Sequence, residues 1–254
     1  ILFQYNRGDV WVHHTLDEIP NTENLNIHAH TGCELYCFLR GEGYYTVEGN
    51  HYLLTPGTIL LMRSGEAHMP HIRPTGPYER IAVHFPTEYL VGEDPTLIAL
   101  FDGRPLGVNN CYPPEPSDLD YLRSTLLRLC KPSDAAPEKR IRAYLIPVLY
   151  ELAGRRGQGG DAVLPAALPH DPLVIDVIEY INTHLTDRFS MADLSQRFFF
   201  SVSHINKVFR AETGSSVWDY VVVKRLLLAR SLIHSGVSAA GAAARSGFSD
   251  YSSF

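Results

Sequence analysis

The sequence predicts an α+β chain, with a small β-barrel or jelly roll in front and an all-α domain behind. Three observations carry this. β-forming residues cluster in short runs over residues 1 to about 90, with turn residues between them. Apolar residues recur at helical spacing from about residue 118 onward. A stretch rich in glycine and proline, Gly154 to Pro172, separates two such regions and has no periodicity of its own.

The runs that read as strands are Val10–Val12, Glu34–Leu39, Tyr44–Val47, Thr58–Met62 and Arg80–Phe85. Gly41-Glu42-Gly43, Glu48-Gly49-Asn50, Pro56-Gly57 and Ser64-Gly65 supply turns between them. Short strands at this spacing predict an antiparallel sandwich or barrel.

Leu119, Leu122, Leu126 and Leu129 make one amphipathic helix, and Ile141, Leu145, Val148, Leu149 and Leu152 make another. Pro147 is expected to kink or break the second. The domains are therefore drawn as 1–155, a linker at 156–172, and 173–254. Leu173, Val174, Val177, Ile178, Ile181 and Leu185 line the first helix of the last part. Ser190, with Asp193 three residues on, caps a second. Ser201 begins a third that Gly214 stops. Ser216 to His234 is a long fourth, Val237 to Arg245 a fifth, and Ser249 or Asp250 caps a sixth. Two units of helix, turn and helix joined by one long helix form an internal duplication.

Composition narrows the class. The chain has 254 residues, 45% hydrophobic and 20% charged, which excludes a disordered chain. It has no apolar run of about 18 residues, so no membrane partner is expected. The start, Ile1-Leu2-Phe3-Gln4, has no signal pattern and reads as the trimmed beginning of a cytoplasmic protein. Cys33, Cys37, Cys111 and Cys130 have no zinc-site spacing and read as buried, reduced thiols. The net charge of −6 lies wholly in the first 170 residues, because Asp171 to Phe254 holds 8 basic and 8 acidic residues. A case for nucleic acid must then rest on pattern rather than on charge.

The front half carries one chemically loaded string. His28-x-His30-x-x-x-Glu34 precedes Gly41, and Pro56-Gly57 precedes His68. On a strand, His28 and His30 share a face. Three imidazoles and a carboxylate can hold zinc, iron, manganese or nickel. The string resembles the two cupin motifs over about residues 25 to 70. That resemblance implies a cupin-like barrel with His28, His30, Glu34 and His68 as the metal set, so a divalent transition metal is an expected cofactor. The other reading of the same residues is a ligand pocket without metal. Tyr36, Phe38, Tyr44, Tyr45 and Trp11 are candidate walls, and Arg40 and Glu34 can bond hydroxyls. Aromatic faces with polar edges suit a carbohydrate.

The back half carries a more specific pattern. Asp193-Leu194-Ser195, then Phe200-Ser201-Val202-Ser203-His204-Ile205-Asn206-Lys207-Val208-Phe209-Arg210-Ala211-Glu212-Thr213-Gly214, resembles the first helix-turn-helix of AraC/XylS-type transcription regulators. Arg225-Leu226-x-x-Ala229-x-x-Leu232-Ile233 resembles their connecting helix, and Gly247-Phe248-Ser249-Asp250 with Ser252 and Phe254 the start of their second reading helix. About 80 residues agree in order and spacing. In the third helix Val202, Ile205, Val208 and Phe209 are expected to be buried. Ser203, His204, Asn206, Lys207 and Arg210 fall on the other face, where asparagine can read adenine and lysine or arginine guanine or phosphate. The expected DNA contacts are Ser201, Ser203, His204, Asn206, Lys207 and Arg210, with Asp250, Tyr251 and Ser252 in the second unit. The fifth helix has Ala239 and Ala242 where the family has larger side chains, so the second unit is expected to be the less stable. The sequence ends one turn into the second reading helix, so this piece is expected to bind DNA poorly without the remainder.

The resemblance implies a sequence-specific DNA-binding regulator, not an enzyme. Its expected partners are double-stranded DNA, a carbohydrate effector, a second copy of the chain through the helices after the barrel, and RNA polymerase. The alternative is a metal-dependent cupin enzyme, an isomerase or oxygenase, with a fused helical domain.

Overall fold

Short strands form where β-branched and aromatic residues gather between turns. The computed structural model describes residues 1–22, 25–131, 136–157 and 171–248. Its strands are β1 (Phe3–Arg7), β2 (Val10–Asp17), β3 (Cys33–Arg40), β4 (Gly43–Val47), β5 (Asn50–Leu54), β6 (Ile59–Met62), β7 (His68–Ile72), β8 (Tyr78–Phe85) and β9 (Cys111–Tyr112). β1, β5, β7 and β9 add to the five runs expected. The order in the larger sheet is β1-β2-β8-β3-β6-β9, and in the smaller β5-β4-β7. Their pairings are antiparallel.

β3 explains how the layers stack. Cys33 to Phe38 are all buried, so both faces of the strand are covered. Side-chain alternation sends Cys33, Leu35 and Cys37 to one core and Tyr36 and Phe38 to another. The first core lies between the large sheet and the helices α1 (Pro95–Ala99), α2 (Leu119–Leu129) and α3 (Pro137–Gly157). The second fills the space between the sheets with Tyr36, Phe38, Tyr45, Tyr52, Leu60, Met62 and Tyr78. All four cysteines are free and buried, as expected.

α3 runs through Pro147 rather than breaking there. Leu145, Val148, Leu149 and Leu152 are all fully buried against α2 and the sheet, and that burial on both sides of the proline offsets the lost backbone bond. The linker expected at 156–172 lies mostly outside the described residues.

The back half is helical: α4 (Pro172–Thr183), α5 (Met191–Phe198), α6 (Val202–Thr213), α7 (Val217–His234) and α8 (Ala239–Arg245). The expected caps are in place. Ser190 and Asp193 form a reciprocal capping box at α5, Ser201 caps α6, Ser216 caps α7, and Gly214 ends α6 in the left-handed region at φ 70°. In α8 Ala242 and Ala243 are buried, while Ala239 is exposed. The expected sixth helix lies outside the described residues.

The small sheet leans on these helices. Gly214 approaches β7 so closely that a Cβ there would stand 2.6 Å from the Met69 methyl. Gly49, in the β4–β5 turn, leaves no room for a Cβ beside Ile178 and Ile175 of α4. Ala67 belongs to the helical core. The barrel and the helical half are thus packed face to face.

Candidate effector cavity and DNA-reading helix

Four segments bring imidazoles round one carboxylate. Glu34 enters from β3, His68 from the start of β7, His84 from β8, and His28 and His30 from the chain before β3. His28 is not on a regular strand; a bridge to His68 holds it, with backbone bonds of 3.1 and 2.8 Å in both directions. Nε2 of His30 and Nε2 of His68 each lie 3.0 Å from Oε2 of Glu34, and Nε2 of His84 lies 3.7 Å from Oε1. Ring centroids are 4.4 Å apart for His28 and His68, 5.0 Å for His30 and His68, and 4.6 Å for His30 and His84. Burial pushes the Glu34 carboxyl up, but His84, His30 and His68 outweigh it and hold it well below the usual carboxylate range. Burial pushes His68 down, yet its bond to Glu34 and the Glu34 charge leave it above its ordinary value. For His84 burial wins and carries it down to about 4.

His28, His30 and His84 of this cluster face a cavity of about 620 Å³, with Glu34 and His68 buried behind them. Trp11, His13, His28, His30, His84 and Glu88 line it from the front half, and Arg230, Ser231 and His234 of α7 line it from the back half. Trp11 tilts over His84 at a centroid distance of 5.8 Å and remains 45% exposed.

The expected aromatic walls are mostly elsewhere. Tyr36 and Phe38 are buried in the core between the sheets, where the Tyr36 and Tyr78 hydroxyls bond at 2.9 Å. Large rings from both sheets fill that interior, so it does not open as a ligand chamber. Tyr45 is buried with them. Tyr44 stacks on His71 at 4.3 Å, in a separate groove against α6. Arg40 is exposed at the far end of β3, away from the cavity. Of the expected ligand residues the structure brings together His28, His30, Glu34 and His68. Trp11, an expected wall, stands beside them, and the structure adds His84 and the α7 side chains.

A second buried carboxylate bonds to Ala67, the residue just before His68. This is Glu48, in the β4–β5 turn at φ 48°, which accepts from Ala67 N (2.6 Å), Asn182 Nδ2 (2.9 Å), Lys224 Nζ (2.8 Å) and the Tyr220 hydroxyl. Lys224 also donates to Gly65 O at 2.6 Å. The Glu48 and Lys224 side chains are 1% and 7% exposed. Burial and then the Glu48 charge drive the Tyr220 phenol well above its ordinary pKa. The segment Gly65–His68 therefore touches the helical half at one end and the imidazole cluster at the other. Its base is fixed by Glu66, which meets Arg104 (2.5 and 2.8 Å) and Asn110 (2.8 Å).

α6 presents a polar face. Ile205 and Phe209 are buried as expected, and Val208 packs against the same core. Val202 departs from expectation at 38% exposed, because Ser201 starts the helix before its first turn meets the core. Ser203, His204, Lys207 and Arg210 are exposed. Ser201 spends its hydroxyl capping His204 N at 3.2 Å. Asn206 is half-buried and its Oδ1 accepts from Val217 N of α7 at 3.3 Å, so it supports the next helix. Asp250, Tyr251 and Ser252 lie outside the described residues.

Comparison with known proteins fits this arrangement. Residues 194–254 match the helix-turn-helix domain family, and residues 19–128 match the AraC-like ligand binding domain family. The chain belongs to the AraC family of transcription regulators. It is a DNA-binding regulator with a ligand-binding domain rather than an enzyme, so the cupin-enzyme alternative falls away. Among solved structures, this AraC-family chain is similar to a variant of apo ToxT from Vibrio cholerae, at 12% identity over 98% of this chain and 92% of that one, with a TM-score of 0.40. It is also similar to the AraC-like transcriptional activator CuxR, at 14% identity over 90% and 80%, with a TM-score of 0.40. ToxT with unsaturated fatty acid bound aligns at 12% identity over 97% and 87%, with a TM-score of 0.38. No curated protein sequence matches.

The metal set that the cupin resemblance implies can be tested on this regulator's own atoms. One donor atom each from His28, Glu34 and His68 lies within 4.8 Å of the others, and the same holds for His30, Glu34 and His84. Donors of these types, imidazole nitrogen and carboxylate oxygen, are ones a transition metal takes, and small side-chain shifts would bring them to about 2.1 Å from an ion. His84 is the ligand candidate that the motif spacing missed; its place opposite Glu34 follows from the β3–β8 register, which pairs the two residues directly.

Proposed function

We propose that this regulator reads double-stranded DNA with α6, and that a carbohydrate in the 620 Å³ cavity controls how α6 is presented. The cavity's composite wall carries the reading. A molecule there touches the imidazole cluster of the sensor and Arg230, Ser231 and His234 of α7 together. Such a molecule has different affinity for docked and undocked arrangements, which is what control of DNA binding requires. The exposed Trp11 ring offers a stacking face, and the imidazoles, Arg230, Asp9 and Glu88 offer hydrogen bonds to hydroxyls. Ser203, His204, Lys207 and Arg210 meet the major groove, while Ser201 and Asn206 hold the helix in place. The functional parts are the sensor at 1–155, the linker at 156–172 and the DNA-binding domain at 173–254. The chain acts in the cytoplasm as a homodimer through the outer faces of α2 and α3, where Tyr121 and Tyr150 are exposed, and works with RNA polymerase.

The test is selection of random duplexes by the chain extended beyond Phe254, with and without a panel of pentoses and hexoses. The expected result is a site with two half-sites about 34 Å apart, whose retention changes with one sugar. A folded protein that enriches no site overturns the DNA reading. Enrichment indifferent to every sugar overturns the carbohydrate.

A further inference from the structure

Three phenylalanines stand in a row between α5 and α6, and they do not share one role. Phe198 packs against the helical core, edge-on to Tyr180 at a centroid distance of 6.2 Å. Phe199 is 92% exposed and holds φ 59° and ψ 29°, in the left-handed region. That region strains a bulky side chain and suits glycine. Phe200 is 44% exposed and stacks on His204 at 5.0 Å, with the ring planes 20° apart. Its carbonyl accepts from the Ser195 hydroxyl at 2.6 Å, which ties the turn back to α5. Val202, two residues on, is exposed as well. Neither burial nor backbone preference favours an aromatic ring at Phe199. A strained turn that also leaves apolar surface in water implies a use outside the fold.

The neighbours of this patch say what it meets. The turn lies within the matched helix-turn-helix region, and the exposed Ser203, His204 and Lys207 of α6 follow it directly. His204 belongs to both surfaces, because Phe200 stacks on its ring. The apolar patch is therefore continuous with the polar reading face. From Ser195 to Ala211 the chain has no acidic residue, against Arg197, Lys207 and Arg210, so charge favours a polyanion at this end. The apolar group that the major groove displays is the C5-methyl of thymine, and phenylalanine packs on it. We infer that Phe199, Phe200 and Val202 are a thymine-reading patch, packing on C5-methyl groups of bases next to those that His204 and Lys207 contact. The inference deepens the reading of duplex DNA by α6 and rests on it. It makes part of the specificity apolar, in a helical half whose acidic and basic residues balance.

The test takes the site enriched by the extended chain and replaces its thymines one at a time by uracil, which removes only the methyl. Fluorescence anisotropy gives each affinity, and circular dichroism checks that each variant is folded. The expected result is a loss of about three- to fivefold at one thymine or more. Phe199→Gly and Phe200→Ala bind the thymine and uracil duplexes alike at those positions. Lys207→Ala weakens both duplexes and keeps their ratio. Phe199→Gly also melts no lower than the parent, because glycine takes the left-handed turn without strain; a fall shows that the ring serves the fold and overturns its part in the patch. Uracil tolerated at every position by the parent chain overturns the thymine contact and leaves the DNA reading in place. So does a methyl preference that survives in both phenylalanine variants. Unchanged DNA binding by these variants, with a loss confined to transcription by RNA polymerase, gives the patch to a protein partner and overturns the thymine contact. If the folded chain enriches no site, the DNA reading falls and this inference with it.

Discussion

Two carboxylates of the sensor half are buried beside the same loop, and their surroundings are opposite in kind. Glu48 is enclosed by donors from α4, α7 and the backbone, and its charge is matched by Lys224. Glu34 is enclosed by imidazoles, with Nε2 of His30 and of His68 each 3.0 Å from its Oε2, beside an open cavity. A buried charge matched by an ammonium fixes an arrangement, whereas one matched only by imidazoles depends on groups that titrate. The first is a fastening and the second a receptor, and the Gly65–His68 segment runs from one to the other.

The sharpest way to break that contrast is to neutralise each carboxylate. Glu48→Gln leaves the Lys224 ammonium buried without its counter-charge, and we expect a loss of about 3–5 kcal/mol in urea unfolding, with faster proteolysis between α3 and α4. Replacing both partners by methionine recovers most of the loss if the pair fastens rather than stabilises outright. An equal loss in the double variant means that the interface depends on charge itself. Glu34→Gln removes a charge that His84, His30 and His68 stabilise in the fold, so a loss is expected here too, but a smaller one, because no ammonium is left stranded. A loss as large as that of Glu48→Gln would show that the two sites are alike.

His71 tests what burial does with no carboxylate attached. It lies three residues past His68 on β7, and burial, with His51 adding to it, pushes it down to about 4. The unfolded ring takes up its proton near 6.5. The folded state therefore loses stability as pH falls from about 6.5 to about 4, and holds that contribution above the window. His71→Phe should flatten the melting temperature against pH in this range. An unchanged slope means that the ring is not shielded.

The smallest effects separate support from reading on α6. Asn206→Ala removes the acceptor for Val217 N and should cost about 1 kcal/mol. Lys207→Ala, on an exposed side chain, should leave unfolding within about 0.5 kcal/mol while lowering the salt dependence of DNA binding by about one unit. Equal melting losses in both would mean that the two residues share one role.

Where the signal is local, the sequence could be read. Helical spacing placed α2 to α8, and the caps at Ser190, Ser201, Ser216 and Gly214 marked their ends within a residue. The histidine string was legible too, because His28, His30, Glu34 and His68 do meet, although a bridge and not a strand holds His28. What escaped depends on contacts between distant parts. Tyr36 and Phe38 alternate as a pocket wall would, but only the opposing sheet decides that the space is filled. Glu48-Gly49-Asn50 reads as an ordinary turn, since Lys224 and Tyr220 lie more than 170 residues further on. Arg230 and His234 look like solvated positions on α7 until the cavity is closed by the sensor.

The turn at Glu48 also limits how this protein can be taken apart. A regulator of two parts invites the construction of chimaeras, with one sensor exchanged for another above the same DNA-binding half. Here α7 carries a lysine and a tyrosine whose partner is one buried residue of the β4–β5 hairpin, and Gly49 beside it, at φ 80°, lies tight against Ile178 and Ile175 of α4. A grafted barrel lacking that Glu-Gly pair would strand Lys224 in an apolar seam, so a working graft must carry the hairpin with it.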